Sequence, residues 1–117
     1  MNDKDLIIKA AKSLGLKGEW REGIYDDRGT LGNYFVVNED YCRYTWNPLG
    51  CSSDAFKLQT ELYMRVFINK EDNTTTALVG NMSSDVSGYA LEHHKGDVLK
   101  ATMRAIVRCA ADTVRED

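Results

Sequence analysis

The chain reads as α+β: an antiparallel sheet of about four to five strands packed with three helices. Three observations predict this. Apolar residues recur at spacings of three and four over 3–14, 53–62 and 97–115, the period of an amphipathic helix. Between these stretches lie short runs rich in β-branched and aromatic residues. Those runs are joined by brief polar turns such as Asp26-Asp27-Arg28-Gly29 and Lys70-Glu71-Asp72-Asn73, and strands joined so tightly pair antiparallel. At 117 residues, with no internal repeat or linker, residues 1–117 are expected to form one domain.

Each element has its own reason. Leu6, Ile7, Ala10, Ala11 and Leu14 form one face of a first helix over Asp3–Leu14. Asn2 or Asp3 caps its start and Gly15 is its natural stop. Glu19–Tyr25 and Leu31–Val37 read as a hairpin, with Tyr34, Phe35, Val36 and Val37 the most β-prone stretch of the chain. Tyr41–Trp46 is aromatic-rich and reads as a short strand or an ordered loop. Pro48 holds Asn47 extended, and Ser52 or Ser53 then caps a helix from Ser53 to about Leu62, with Asp54 in its first turn. Tyr63–Asn69 and Thr74–Val79 form a second hairpin, 81–84 a polar loop, and Val86–Glu92 a last strand. The final helix, Asp97–Arg115, carries the stripe Leu99, Met103, Ile106, Val107, Ala110 and Val114.

Composition narrows the function. The net charge of −3 disfavours nonspecific binding to a phosphate backbone, so direct nucleic-acid binding is not expected. There is no 18-residue apolar run and hence no expected membrane span. The charged start Asn2-Asp3-Lys4-Asp5 lacks the apolar core of a signal peptide, which points to the cytoplasm. Cys42, Cys51 and Cys109 are odd in number and irregularly spaced, so free thiols are expected. A metal site built from Cys42, Cys51, His93 and His94 lacks the close Cys-x2-Cys pair of a zinc centre. Neither metal nor cofactor is expected.

No catalytic motif is present: no nucleophile elbow, no phosphate-binding loop, no His-Glu-x-x-His. Cys51 precedes a helix N-terminus, a place where a thiol can be activated, but no histidine lies near it in sequence. His93 and His94 read as wet loop residues before the last helix, and as a base His94 has no identifiable partner. The aromatic set Trp20, Tyr25, Tyr34, Tyr41, Tyr44 and Trp46, interleaved with Arg21, Arg28 and Arg43, carries more information. Such residues dominate protein interfaces and also stack on bases, although a good share of them is expected in the core. Arg104 and Arg108 project together from one helix face, where they can bind an acidic partner or a phosphate, or simply pair with Asp112 or nearby acids.

Two segments resemble the phage ABA-sandwich domain family, small proteins of bacteriophage genomes. One is the turn Trp46-Asn47-Pro48-Leu49 with the helix start Asp54-Ala55-Phe56-Lys57-Leu58. The other is Thr102-Met103-Arg104-Ala105-Ile106-Val107-Arg108-Cys109-Ala110-Ala111. The resemblance covers roughly 44–113 and departs at Gly50-Cys51-Ser52-Ser53, where the family carries consecutive acids and a glycine. It implies an α-β-α sandwich, with helices on both faces of the sheet, and a phage origin. It implies no activity, because the family has no settled one.

The expectation is therefore a non-enzymatic phage accessory protein that binds a host bacterial protein, with inhibition of an anti-phage defence component as the natural instance. Candidate binding residues are Trp46, Asn47 and Asp54 at the turn, Arg43 and Tyr44 ahead of it, and Arg104 and Arg108 on the last helix. The alternative is a sponge for a nucleotide signal, which requires Arg21, Arg43, Arg65, Arg104 and Arg108 to converge. An enzyme using Cys51 or His94 ranks third. A self-pairing sheet edge, or the last helix, offers a route to a homo-oligomer.

Overall fold

The computed structural model describes residues 2–39, 42–81 and 85–114. In chain order the elements are α1 (Asp3–Ser13), β1 (Gly18–Tyr25), β2 (Leu31–Glu39), β3 (Cys42–Trp46), α2 (Ser52–Glu61), β4 (Arg65–Asn69), β5 (Thr74–Asn81), β6 (Asp85–His93) and α3 (Val98–Asp112). The α+β class and the element order follow the sequence reading. Tyr41, Arg115 and all of the expected loop over 81–84 except Asn81 lie outside the described residues.

The expected single sheet of four to five strands is replaced by two three-stranded antiparallel sheets, ordered β1-β2-β3 and β4-β5-β6. Each is a meander of sequential neighbours, and the connection between them passes through α2, so no strand of one sheet pairs with a strand of the other among the described residues. The α-β-α layering is not found either. α3 packs on the second sheet, and both α1 and α2 pack against α3, so these contacts do not place helices on opposite faces of one sheet.

The helix ends follow their local chemistry. Asn2 caps α1 by accepting the Asp5 N–H at 2.8 Å. At its other end Gly15 takes φ +67°, and the Gly15 and Leu16 amides donate back to Lys12 and Ala11, a left-handed cap that glycine adopts without strain. Cys51, not a serine, sits at the N-cap of α2 and makes no side-chain capping bond. The turn before it closes on itself instead: the Gly50 and Cys51 amides donate to the Asn47 carbonyl, and the Asn47 amide donates to Asp54 Oδ2 at 2.9 Å.

α3 is the common partner of the fold. Its buried residues, among them Met103, Ala105, Ile106, Val107 and Ala111, point in nearly every direction around its axis, as in a helix enclosed by protein. One side lies on β5 and β6, and others meet α1 and α2. The first sheet closes the same core with large side chains: Phe35, Val37 and Trp46, flanked by half-buried Trp20 and Tyr44. Phe35 and Trp46 meet edge to face, with ring centroids 6.3 Å apart.

Candidate functional site: a groove across the first sheet

The register of the first sheet decides which residues face away from the core. Tyr34 lies opposite Arg21, Val36 lies between Glu19 and Thr45, and Asn38 lies opposite Arg43. Phe35 and Val37 belong to the core, so the alternation of a strand puts Arg21, Val36, Arg43 and Thr45 together on the opposite face. Val36 is nevertheless buried, among the long side chains of Arg21 and Arg43 that line the same hollows.

Three adjoining hollows run across this surface. The first, about 390 Å³, is lined by Lys17, Glu19, Arg21, Val36, Asn38 and Arg43. The second, about 290 Å³, shares Arg21, Val36 and Arg43 with it and adds Tyr25, Asp27, Tyr44 and Thr45. The third, about 320 Å³, shares Asp27, Tyr44 and Thr45 and ends at Arg28, Asn47, Cys51 and Asp54. Shared walls make them one groove. Its first end is rich in cations and its far end in carboxylates. Among the described residues Arg21 pairs with Glu19 at 2.8 Å, whereas no ion pair is found for Lys17, Arg28 or Arg43.

The groove gathers Arg43, Tyr44, Asn47 and Asp54 from the expected set. It also recruits Lys17, Asp27, Val36 and Thr45, which no sequence motif marks and which only the strand register brings together. Trp46 is not part of it. At 2% exposure it belongs to the core, so the expectation of Trp46 as a binding residue is corrected: its ring is spent on packing against Phe35. Tyr34 and Tyr44 are both pushed above the usual phenol range, first by burial and then by carboxylates: Asp26 for Tyr34, and Glu39 and Asp54 among others for Tyr44. Both phenols therefore stay protonated at neutral pH. The Tyr34 hydroxyl donates to the Thr30 carbonyl at 3.1 Å.

Arg104 and Arg108 lie elsewhere. Arg104 donates to Asp3 Oδ1 at 2.9 Å and sits 3.7 Å from Glu92. Arg108 pairs with Glu92 and donates to the Leu91 carbonyl. Their expected partner Asp112 instead accepts the Tyr89 amide at 3.0 Å. A hollow of about 450 Å³ between α1, α3 and β6 lies beside them, but both guanidinium groups are already matched by carboxylates. Arg65 stands on β4, apart from both groups. The five arginines thus fall in three places and do not converge.

The remaining candidates are structural in placement. His94 is 6% exposed, not wet: its Nε2 lies 2.9 Å from Thr75 Oγ1, which lies 3.0 Å from Thr102 Oγ1. This buried chain ties the end of β6 to β5 and α3. Thr75 was invisible as a partner because it lies across a hairpin. Cys51 has Arg28 Nη2 at 3.9 Å, and no histidine lines its hollow. Cys109 is buried, and that burial, with Asp112, pushes its thiol up to about 12. Among the described residues no cluster of His, Cys, Asp and Glu could hold a metal ion, and no helix is long and apolar enough to cross a membrane. No family model, no curated protein and no solved structure matches the chain.

Proposed function

We propose that this chain is a non-enzymatic binding protein that holds an extended segment of a partner protein in the groove across its first sheet. The observation that carries the reading is the groove itself: continuous, open, and charged oppositely at its two ends, with Lys17 and Arg43 free of ion pairs among the described residues. Such a surface reads a segment with acidic residues at the Lys17–Arg43 end, since complementary charge fixes register and discriminates between partners. A non-catalytic role is supported by the surroundings of the two groups that chemistry would need. Among the described residues no histidine lines the hollow of Cys51, and His94 is engaged with Thr75 inside the protein. With the phage resemblance, the partner is a host bacterial protein met in the cytoplasm, a defence component being the instance we favour.

The test is capture of partners on the tagged chain from bacterial lysate, run in parallel with Arg43→Glu and with Lys12→Glu, an equal charge change on α1. A stoichiometric partner is expected to bind the wild type and Lys12→Glu, and Arg43→Glu is expected to weaken it at least about tenfold, roughly 1.4 kcal/mol. Equal retention by all three would remove the groove from the reading. Arg21 and Arg43, which flank Val36, favour one second reading, a phosphate-bearing ligand. A nucleotide retained in native mass spectrometry, with no protein partner, would move the assignment there.

A further inference from the structure

The second sheet presents a different surface. β4 is its edge strand, and only β5 pairs with it. Edge strands are normally blunted by charge, proline or a covering element. β4 reads Arg65-Val66-Phe67-Ile68-Asn69, apolar through its middle, with Phe67 49% and Ile68 57% exposed. Two residues before it stands Tyr63, 90% exposed and at φ 52°.

Tyr63 makes the comparison with α1 informative. The Tyr63 and Met64 amides donate back to Thr60 and Gln59, the same left-handed cap that ends α1. There the left-handed position is Gly15; here it is a tyrosine, a residue that disfavours that conformation. The chain thus places a bare aromatic ring, in a strained backbone, beside an open apolar strand edge.

We propose that two copies of this chain pair antiparallel through β4, with the two-fold axis at Phe67, to join their second sheets into one six-stranded sheet. The strand is complementary to itself in this register. Phe67 meets Phe67 of the second copy on the face turned away from α3, and each Val66 meets an Ile68 on the other face, apolar cross-strand pairs of the kind that stabilise sheets. Each Arg65 falls opposite Asn69, whose amide donates to Asp72 at 3.1 Å. Arg65 has no ion pair among the described residues, so a cation meets an acidic turn at both ends. Tyr63 lies beside that turn. A self-complementary patch gives a closed two-fold dimer. The proposal is independent of the groove, which lies on the other sheet, and it implies two grooves per assembly.

The experiment measures mass by light scattering across a dilution series of the wild type and Phe67→Lys, with circular dichroism to confirm that both fold. The wild type is expected at twice the chain mass, falling toward the monomer on dilution. The added charge is expected to raise the dissociation constant at least about tenfold. Because directly opposed strand residues lie about 4.5–5.5 Å apart, within disulfide reach, Phe67→Cys in a chain with Cys42 and Cys51 changed to serine should form a covalent dimer on mild oxidation. His93→Cys, on the opposite edge strand of the same sheet, should not. A wild type that stays monomeric at every concentration, a dimer that persists in folded Phe67→Lys, or equal cross-linking at both positions would overturn the proposal. So would Phe67-dependent capture of an unrelated protein by a monomeric chain, which would assign the edge to that partner.

Discussion

The two sheets enclose one core by opposite means. The first turns bulk inward, with Trp20, Phe35 and Trp46 reaching from its inner face. The second turns small residues inward, Thr75, Ala77, Gly88 and Ala90, and lets α3 come down onto it. Their outer faces are reversed as well: the first carries the charged groove, whereas Phe67, Tyr89 and Leu91 stand exposed on the second. The difference teaches that a small domain can fill a core with large side chains across a wide gap or with bare backbone across a narrow one. Each choice leaves a different surface free for binding.

Three measurements break or sharpen this contrast, from the largest expected effect downward. Trp46→Ala empties the wide gap and is expected to cost about 3–5 kcal/mol in urea unfolding. A cost below that of the next variant would mean that bulk is not what supports the first sheet. Gly88→Ala fills the narrow gap: a Cβ there would lie 2.5 Å from the Cys109 carbonyl oxygen and 2.7 Å from Thr113 Cγ2. Backbone cannot easily retreat, so a loss of about 1–3 kcal/mol is expected by the same assay. An unchanged midpoint would show that α3 is free to shift. The third test asks whether that narrow gap is dry. The Cys109 thiol is raised in the folded state, so its contribution to stability is present below the ordinary thiol pKa and is lost as pH rises from there toward about 12. Stability should fall with a slope approaching about 1.4 kcal/mol per pH unit in that window, and Cys109→Ala should flatten the slope between pH values near 8.5 and 10. Equal slopes would mean that water reaches the thiol.

Most of the architecture was legible because periodicity is a local property. The helix and strand stretches, the Asn2 cap and the Gly15 stop all depend on neighbours within a few residues. What could not be read depends on distant partners. Alternation shows that Val36 and Val37 face opposite ways, but not that Arg21 and Arg43 come to flank Val36. His94 looked wet because nothing nearby in sequence revealed Thr75. Asp112 is the obvious partner of Arg108 on one helix, yet Glu92 on β6 lies closer. Whether six strands make one sheet or two was likewise beyond hydropathy, since both arrangements use the same alternation.

The placement of α3 has a consequence for synthesis. The helix enclosed on nearly all sides follows both sheets in the chain, so every strand leaves the ribosome before the surface that will cover it. Until 98–112 emerge, the nascent chain holds two uncovered apolar sheet faces and the bare β4 edge, the kind of surface that chaperones retain and that aggregates at high expression. Yield in a cell is therefore expected to depend on how quickly 98–112 are delivered as well as on the stability of the finished fold.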